Sequence, residues 1–262
     1  FAIMGNKDTD KVAVREVESR GMTHTLDQLG ESVASVEEAA AATTNYLGIL
    51  DAIERAGVGR NVSVKLTQLG LDIDRATCVD NLRRILDRAK AGEFFVRIDM
   101  ENSPYTDVTL DIVETVWNMG YKNVGTVLQS CLKRSEGDME RLMASGIRVR
   151  LVKGAYKEPA AVAYQAKSDV DASFFRMTQA LLARGHYPAI ATHDPEMIEM
   201  TRAFVAQQNI AHDRFEFQLL FGIRRDLQAQ LLAEGYRVRI YVPFGPEWYP
   251  YFMRRLGEWP AN

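Results

Sequence analysis

The sequence lacks the features that mark several classes of protein. Its 262 residues include only two cysteines, Cys78 and Cys131, too few and too far apart for a disulfide framework or a cysteine metal site. It has no run of about 18 apolar residues, which excludes a membrane-spanning helix. Its start has no charged stretch followed by an apolar core, so no signal peptide is predicted. The 32 basic and 35 acidic residues give a net charge of −3, so we expect no nucleic-acid partner and at most peripheral membrane association.

Short apolar or β-branched runs recur along the chain and are bounded by turn residues, which is typical of buried strands. The predicted strands are His24–Leu29, Val62–Leu66, Phe94–Asp99, Asn123–Leu128, Arg148–Val152, Ala189–Thr192, Phe215–Leu220 and Val238–Val242. Amphipathic segments between them predict helices. These are Val33–Ala56, opened by Ser32, and Ala76–Ala91, Thr106–Met119, Ser168–Ala183, Pro195–Gln208 and Arg224–Ala233.

Eight strands that alternate with helices predict an α/β fold, a single, distorted (β/α)8 TIM-type barrel with its active site at the carboxyl ends of the strands. The alternative is a doubly wound open sheet. That fold usually has a glycine-rich phosphate turn after its first strand, and here Leu29 is followed by Gly-Glu-Ser. We therefore expect a barrel over residues 21–262, preceded by a segment of uncertain structure at residues 1–20.

Polar or ionisable residues stand at the predicted ends of seven consecutive strands. In a barrel these ends surround one mouth, so the side chains should converge there. They are Lys65, Asp99, Gln129, Arg150 with Lys153, Thr192 with His193, Gln218 and Tyr241. Taken singly, several have structural alternatives: a solvated lysine for Lys65, a turn cap for Asp99, a loop amide for Gln129 and a helix-start residue for His193.

Two arginine pairs are more informative. Alternation along the strand points Arg148 and Arg150 to the same side, with Arg150 nearer the mouth and Arg148 deep or at the lower rim. The following Lys153-Gly-Ala-Tyr turn is suited to an anion, because its small residues allow backbone N–H groups to approach. Near the C-terminus, Glu258 lies four residues after Arg254, so it can hold a guanidinium that, with Arg255, suits a carboxylate.

These motifs resemble the proline dehydrogenase family, in its monofunctional bacterial form. The resemblance is carried by Val-Lys-Leu (64–66), Arg-Ile-Asp-Met-Glu (97–101), Val-Leu-Gln-Ser (127–130), Arg-Leu-Val-Lys-Gly-Ala-Tyr (150–156), Ala-Thr-His-Asp (191–194) and Arg-Arg-Leu-Gly-Glu (254–258). It implies FAD-dependent oxidation of L-proline to Δ1-pyrroline-5-carboxylate, the first step of proline catabolism, by hydride transfer from C5 to flavin N5. Electrons would pass to a membrane quinone.

The resemblance also implies residue roles. Asp99 and Arg150 are the expected catalytic residues, with Arg150 near flavin N5. The expected cofactor-binding residues are Met100, Gln129, Arg150, Lys153, Gly154, Ala155, Thr192, His193 and Gln218, the last toward the adenosine half. The expected substrate-binding residues are Lys65, Tyr241, Arg254, Arg255 and Glu258. Asp99 would orient Arg254 and Lys65, and no metal is expected.

Three alternatives remain open at this point. The first is a flavin barrel of the methylenetetrahydrofolate reductase type, although a folate has no compact zwitterion for an arginine pair to hold. The second is a Schiff-base aldolase with Lys65 or Lys153 as nucleophile. The third is a barrel that only binds a partner, which would not need a charged mouth. We expect a cytoplasmic protein, with at most a peripheral place on the inner face of the bacterial membrane; nothing in the sequence fixes an oligomeric state.

Overall fold

A closed barrel of eight parallel strands forms the core of the computed structural model, which describes residues 7–30, 32–245 and 253. The strands are β1 (Thr23–Gln28), β2 (Asn61–Val64), β3 (Phe95–Ile98), β4 (Val124–Gln129), β5 (Arg148–Val152), β6 (Ala189–Ala191), β7 (Glu216–Leu220) and β8 (Val238–Phe244). Each strand pairs with its neighbours in the sequence, and β8 closes the barrel on β1 with His24 opposite Ile240. The predicted fold class is confirmed.

Helices cover the outside of the barrel. They are α1 (Lys7–Ser19), α2 (Val36–Ala56), α3 (Arg75–Ala91), α4 (Thr106–Asn118), α5 (Ser135–Ser145), α6 (Lys167–Arg184), α7 (Pro195–Gln207) and α8 (Arg225–Ala233). The first of these precedes the barrel and contacts β1 and β8, with Val14 and Val17 buried. Neither α1 nor α5 was predicted from the sequence.

The predicted start of the second helix was wrong. It was placed at Val33, after Ser32, but α2 begins at Val36. Ser35 is the cap: its hydroxyl accepts a hydrogen bond from the Glu38 amide at 3.1 Å, while the Glu38 carboxylate accepts one from the Ala34 amide at 2.7 Å. The two bonds are reciprocal, as in a capping box, except that the carboxylate bonds the amide of Ala34 rather than that of the cap residue itself, and together they set the first turn more strongly than a lone serine.

The two faces of the strands differ in chemistry. Outward-facing residues such as Val64, Ile98 and Phe217 are fully buried against the helices. The inward face carries charge, and it includes Arg97, which is 3% exposed. Gly125 faces this guanidinium: a Cβ at residue 125 would lie 2.8 Å from Arg97 Nη1 and 2.6 Å from the Arg148 carbonyl oxygen. The barrel interior is therefore shaped to hold buried ions.

Candidate active site

A cavity of about 390 Å³ opens at the carboxyl ends of the strands. All twelve predicted site residues that the structure describes line it: Lys65, Asp99, Met100, Gln129, Arg150, Lys153, Gly154, Ala155, Thr192, His193, Gln218 and Tyr241. Apolar lining comes from residues such as Val127, Val152 and Leu219. The other three predicted residues, Arg254, Arg255 and Glu258, lie outside the described part of the chain.

Arg150 is held at the floor of the cavity by side chains from β2, β7 and β8 and from the end of β3, strands that lie across the barrel from β5 or further round it. Its guanidinium donates from Nη1 to Asp99 Oδ1 at 2.7 Å, from Nε to Gln218 Oε1 at 2.6 Å and from Nη2 to Ser63 Oγ at 3.2 Å. It also stands over the Tyr241 ring, 5.2 Å from the centroid. Because all of its N–H groups are donors and most are already engaged, the guanidinium has one fixed orientation and presents a fixed positive charge.

Asp99 links the cation to the wall of the cavity. While one carboxylate oxygen pairs with Arg150, the other accepts a hydrogen bond from the Tyr241 hydroxyl at 3.0 Å. Capping the next turn, the structural alternative for Asp99, is therefore not the principal role of this side chain. The carboxylate connects β3, β5 and β8 at one level of the barrel.

Lys65 pairs with a residue that sequence reasoning missed. Its Nζ lies 3.2 Å from Oδ2 of Asp27, which is fully buried on β1. Burial raises the pKa of Asp27, and the nearby negative charge of Asp99 raises it further, while Lys65 and Tyr241 act in the opposite direction. Two ion pairs, Asp27 with Lys65 and Asp99 with Arg150, therefore lie together at this end of the barrel.

The turn after β5 has the shape expected of an anion site. Gly154 has a φ of +121°, and a Cβ there would lie only 2.4 Å from Cys131 Sγ, so glycine is required for both conformation and space. Lys153 Nζ lies 2.5 Å from carboxylate oxygens of Asp171 and Asp194. These two carboxylates, which were not predicted, hold the ammonium group beside the turn.

Thr192 and His193 reach the cavity from the end of β6. His193 accepts a hydrogen bond at Nε2 from the Leu220 backbone amide at 2.9 Å, which ties β6 to β7. Asp194 caps α7 by accepting from the Glu196 amide at 3.0 Å. The Asp194 carboxyl resists protonation: burial works against ionisation, but Lys153 and Lys167 outweigh it and lower its pKa to about 2.

Gln129 and Met100 lie on the β3–β4 side of the cavity. The Gln129 amide donates to the Glu101 carbonyl oxygen at 2.9 Å, so part of its hydrogen-bonding capacity serves the local backbone. Its side-chain oxygen faces the Gly154 turn, 3.3 Å from where a Cβ of residue 154 would stand. This arrangement places an amide beside the Gly154 turn.

A second charged layer lies below the cavity, and sequence reasoning missed it. It contains Arg97, Glu216 and Arg239, with Glu216 Oε1 accepting from Arg239 Nε at 2.7 Å. Each of these residues precedes a mouth residue by two positions on the same strand: Arg97 precedes Asp99. The sequence did contain a signal for this layer: residues i and i+2 of a strand face the same side, so a charged residue two positions before a mouth residue also points into the barrel. Arg148 lies at the lower rim and is exposed, as one of the predicted alternatives had it.

Two absences bear on the chemistry. Within the described residues, no group of three or more His, Cys, Asp or Glu side chains is arranged to hold a metal ion. Among the helices that the structure describes, none has the length and apolar character needed to cross a bilayer.

Comparisons with known proteins agree on one family. A family model described as proline dehydrogenase matches residues 11–262. The chain is 42% identical to proline dehydrogenase 2 of Bacillus subtilis (strain 168), over 99% of this chain and 86% of that protein. It is 44% identical to proline dehydrogenase of Deinococcus radiodurans, over 95% of this chain and 82% of that protein.

Among solved structures, proline utilization A (PutA) from Bdellovibrio bacteriovorus, inactivated by N-propargylglycine, superposes with a TM-score of 0.91 at 25% identity. The match covers 98% of this chain and 32% of that protein, so the chain spans about a third of its length.

Proposed function

Because this chain belongs to the proline dehydrogenase family, a family of oxidoreductases in the first step of proline catabolism, we propose that it oxidises L-proline to Δ1-pyrroline-5-carboxylate with non-covalently bound FAD. When bound, FAD supplies at N5 the acceptor for the hydride of proline C5, and the electrons pass on to a membrane quinone. The observation that carries this proposal is the cavity in which a buried, fixed guanidinium adjoins an anion-binding turn.

The residues fit a flavin dinucleotide. The Gly154 turn leaves room for close backbone approach, and Lys153 adds positive charge, which suits the ribityl-phosphate region. Thr192 and His193 on β6 and Ala155 extend that polar side, and we propose that they bind the same part of the cofactor. Gln129 would bond the pyrimidine edge and Met100 would pack on the ring.

Arg150 is the proposed electrostatic residue. A guanidinium locked by Asp99, Gln218 and Ser63 needs no reorganisation when negative charge develops beside it, which is how preorganised cations accelerate reactions. Asp99 is the proposed partner that keeps this charge in place. The predicted contact of Gln218 with the adenosine half stays a prediction, since the structure engages both ends of its amide within the protein.

The substrate side is proposed from the mouth residues and the C-terminal pair. Arg254 and Arg255 would bind the proline carboxylate bidentately, with Glu258 holding one guanidinium. Tyr241, fixed by its hydrogen bond to Asp99, would form a wall for the pyrrolidine ring. Lys65, held by Asp27, would complete the charged surroundings of the zwitterion.

A Schiff-base aldolase is less well supported. Lys65 and Lys153 each lie in ion pairs with buried carboxylates, an arrangement suited to a fixed cation rather than to an amine nucleophile. Reduction with borohydride in the presence of a carbonyl substrate would trap a covalent adduct in an aldolase only.

The direct test is an anaerobic absorbance spectrum of the purified protein. We expect oxidised-flavin bands that bleach when L-proline is added and do not bleach with an amino acid that lacks the ring. A protein that binds FAD but is not reduced by proline would contradict the substrate, and one that binds no FAD would contradict the cofactor.

The carboxylate clamp has its own test. Arg255→Met should raise the KM for proline far more than it changes flavin content, by a factor that corresponds to about 2–5 kcal/mol of lost binding, because the proline carboxylate would lose one of its two proposed cationic partners. Arg184→Met is the matched control, because Arg184 is an exposed arginine that pairs with Glu140 far from the cavity. An unchanged KM in Arg255→Met would contradict the clamp.

A further inference from the structure

A continuous line of hydrogen bonds runs down from the cavity into the barrel. Arg150 Nε donates to Gln218 Oε1 at 2.6 Å, and Gln218 Nε2 donates to Glu216 Oε1 at 2.6 Å. The three side chains are buried, with exposures of 4%, 3% and 3%. Glu216 lies below the cavity and is not among the described residues that line it.

The direction of these bonds is set by chemistry. A guanidinium has donors only, so the amide atom that faces Arg150 has to be oxygen. The amide nitrogen therefore points away from Arg150, where a buried N–H group needs an acceptor. Glu216 is that acceptor.

Glu216 is itself held from two sides. Arg239 Nε donates to Oε1 at 2.7 Å, and the Tyr187 hydroxyl donates to Oε2 at 3.2 Å. Burial acts to raise the pKa of this carboxyl, but Arg239 and the hydrogen bonds from Arg239 and Gln218 outweigh burial and hold the pKa below its usual value. The ionised carboxylate only accepts, so it cannot present a donor to Gln218.

We propose that Glu216 is a positioning residue for the flavin chemistry: it fixes the amide of Gln218, and Gln218 in turn fixes the guanidinium of Arg150. This inference rests on the proposed function. Glu216 acts by geometry, because it affects Arg150 only by orienting the side-chain amide of Gln218. Without the acceptor at Oε1, the Gln218 nitrogen loses this partner, the amide is no longer held against Arg150 Nε, and the guanidinium loses one of the hydrogen bonds that orient it.

Two substitutions separate geometry from charge. Glu216→Asp keeps the negative charge beside Arg239, but its side chain is one methylene shorter, so its oxygen lies farther from the Gln218 nitrogen. Glu216→Gln removes the charge but keeps an oxygen at the Oε1 position, because Arg239 can only donate to it. The proposal predicts that Glu216→Asp disturbs Arg150 and that Glu216→Gln does not.

The readout is the midpoint potential of the flavin in the holoenzyme, which reports the positive charge beside the reduced form. We expect Glu216→Asp to lose about tenfold in preference for reduced over oxidised flavin, about 30 mV for a two-electron couple. Glu216→Gln should have a midpoint no lower than that of the wild type. Tyr187→Phe is the matched control, because it removes a hydrogen bond to the other oxygen of Glu216, and its midpoint should not change.

An unchanged midpoint in Glu216→Asp with a raised one in Glu216→Gln would overturn the proposal in favour of a purely electrostatic role, because the loss of a negative charge by itself favours the reduced flavin. In a Gln218→Met background, Glu216→Asp should lower the midpoint no further, because both substitutions act through the same amide; additive effects would also overturn the proposal.

Neutron diffraction of the wild-type holoenzyme tests the orientation of the amide without any variant. The Gln218 nitrogen should face Glu216, and a nitrogen facing Arg150 would refute the assignment. Failure of the proposed function would be recognised separately, as a wild-type protein that binds no flavin or is not reduced by proline.

Discussion

The inner and outer faces of the eight strands have opposite chemistry. The outer face presents Val64, Ile98 and Phe217 to the helices, each fully buried. The inner face carries Arg97, Arg150 and other charged side chains, where barrels of this architecture usually pack branched aliphatic residues. In this protein the outer face supplies the apolar packing that stabilises the fold, and the inner face holds paired ions at and below the cavity.

His24 is an informative exception on the outer face. Its side chain is fully buried between β1 and α1, with Nδ1 3.3 Å from Glu18 Oε1. Burial is the largest influence on this imidazole and lowers its pKa to about 4, against the opposing attraction of Glu18. A polar group is tolerated on this face because it stays neutral, whereas the inner face stabilises full charges by pairing them.

The largest expected effect is the loss of packing on the outer face. Phe217→Ala removes a ring that is in edge contact with Phe215 and Tyr236, so the free energy of unfolding should fall by about 3–5 kcal/mol. Denaturant titration measures this loss. The folded fraction of the variant should bind proline with the KM of the wild type. A rise in KM that corresponds to a similar free energy would show that the outer face also affects the cavity, and would contradict the separation of roles between the two faces.

On the inner face, Arg150→Met should act first on chemistry. We expect turnover to fall about 10²–10³-fold, equivalent to about 2.7–4 kcal/mol, because a preorganised charge is lost from the cavity. Steady-state and rapid-reaction kinetics of the flavin-loaded variant measure this. Turnover within tenfold of wild type, with flavin still bound, would mean that the guanidinium is structural.

The smallest of these effects is the pH dependence due to His24. Burial lowers its pKa to about 4 in the folded state, against about 6.5 in the unfolded chain, so the unfolded chain takes up the proton first as the pH falls. Stability from this group is complete above pH 6.5 and is lost between 6.5 and about 4, by roughly 3 kcal/mol at about 1.36 kcal/mol per pKa unit. The difference in unfolding free energy between wild type and His24→Met should therefore change over that pH range. Parallel curves would show that His24 does not titrate as described, since carboxyl groups common to both proteins cancel.

Local patterns in the sequence were sufficient for the architecture and for most of the described site. Strand and helix periodicities are properties of neighbouring residues, and parallel strands in a barrel bring their carboxyl ends together, so Lys65, Asp99 and Arg150 could be assigned to one mouth before any coordinates were known. Helix α5 escaped prediction because Gly137 lowers its helical propensity and few apolar residues mark its buried face. The start of α2 was misplaced because Ser32 and Ser35 are both suitable cap residues. Only the hydrogen bonds of the folded chain show that Ser35 caps the helix.

Only the tertiary structure decided which charged side chains pair with each other. Asp27 pairs with Lys65 across 38 residues, Asp99 with Arg150 across 51, and Gln218 with Arg150 across 68. Such pairings depend on the stagger between strands and on how the barrel closes, which no local pattern records. The sequence therefore determined the fold and the kind of chemistry at its mouth, whereas the buried ion pairs that hold Arg150 in one orientation arise only when the eight strands are brought into register.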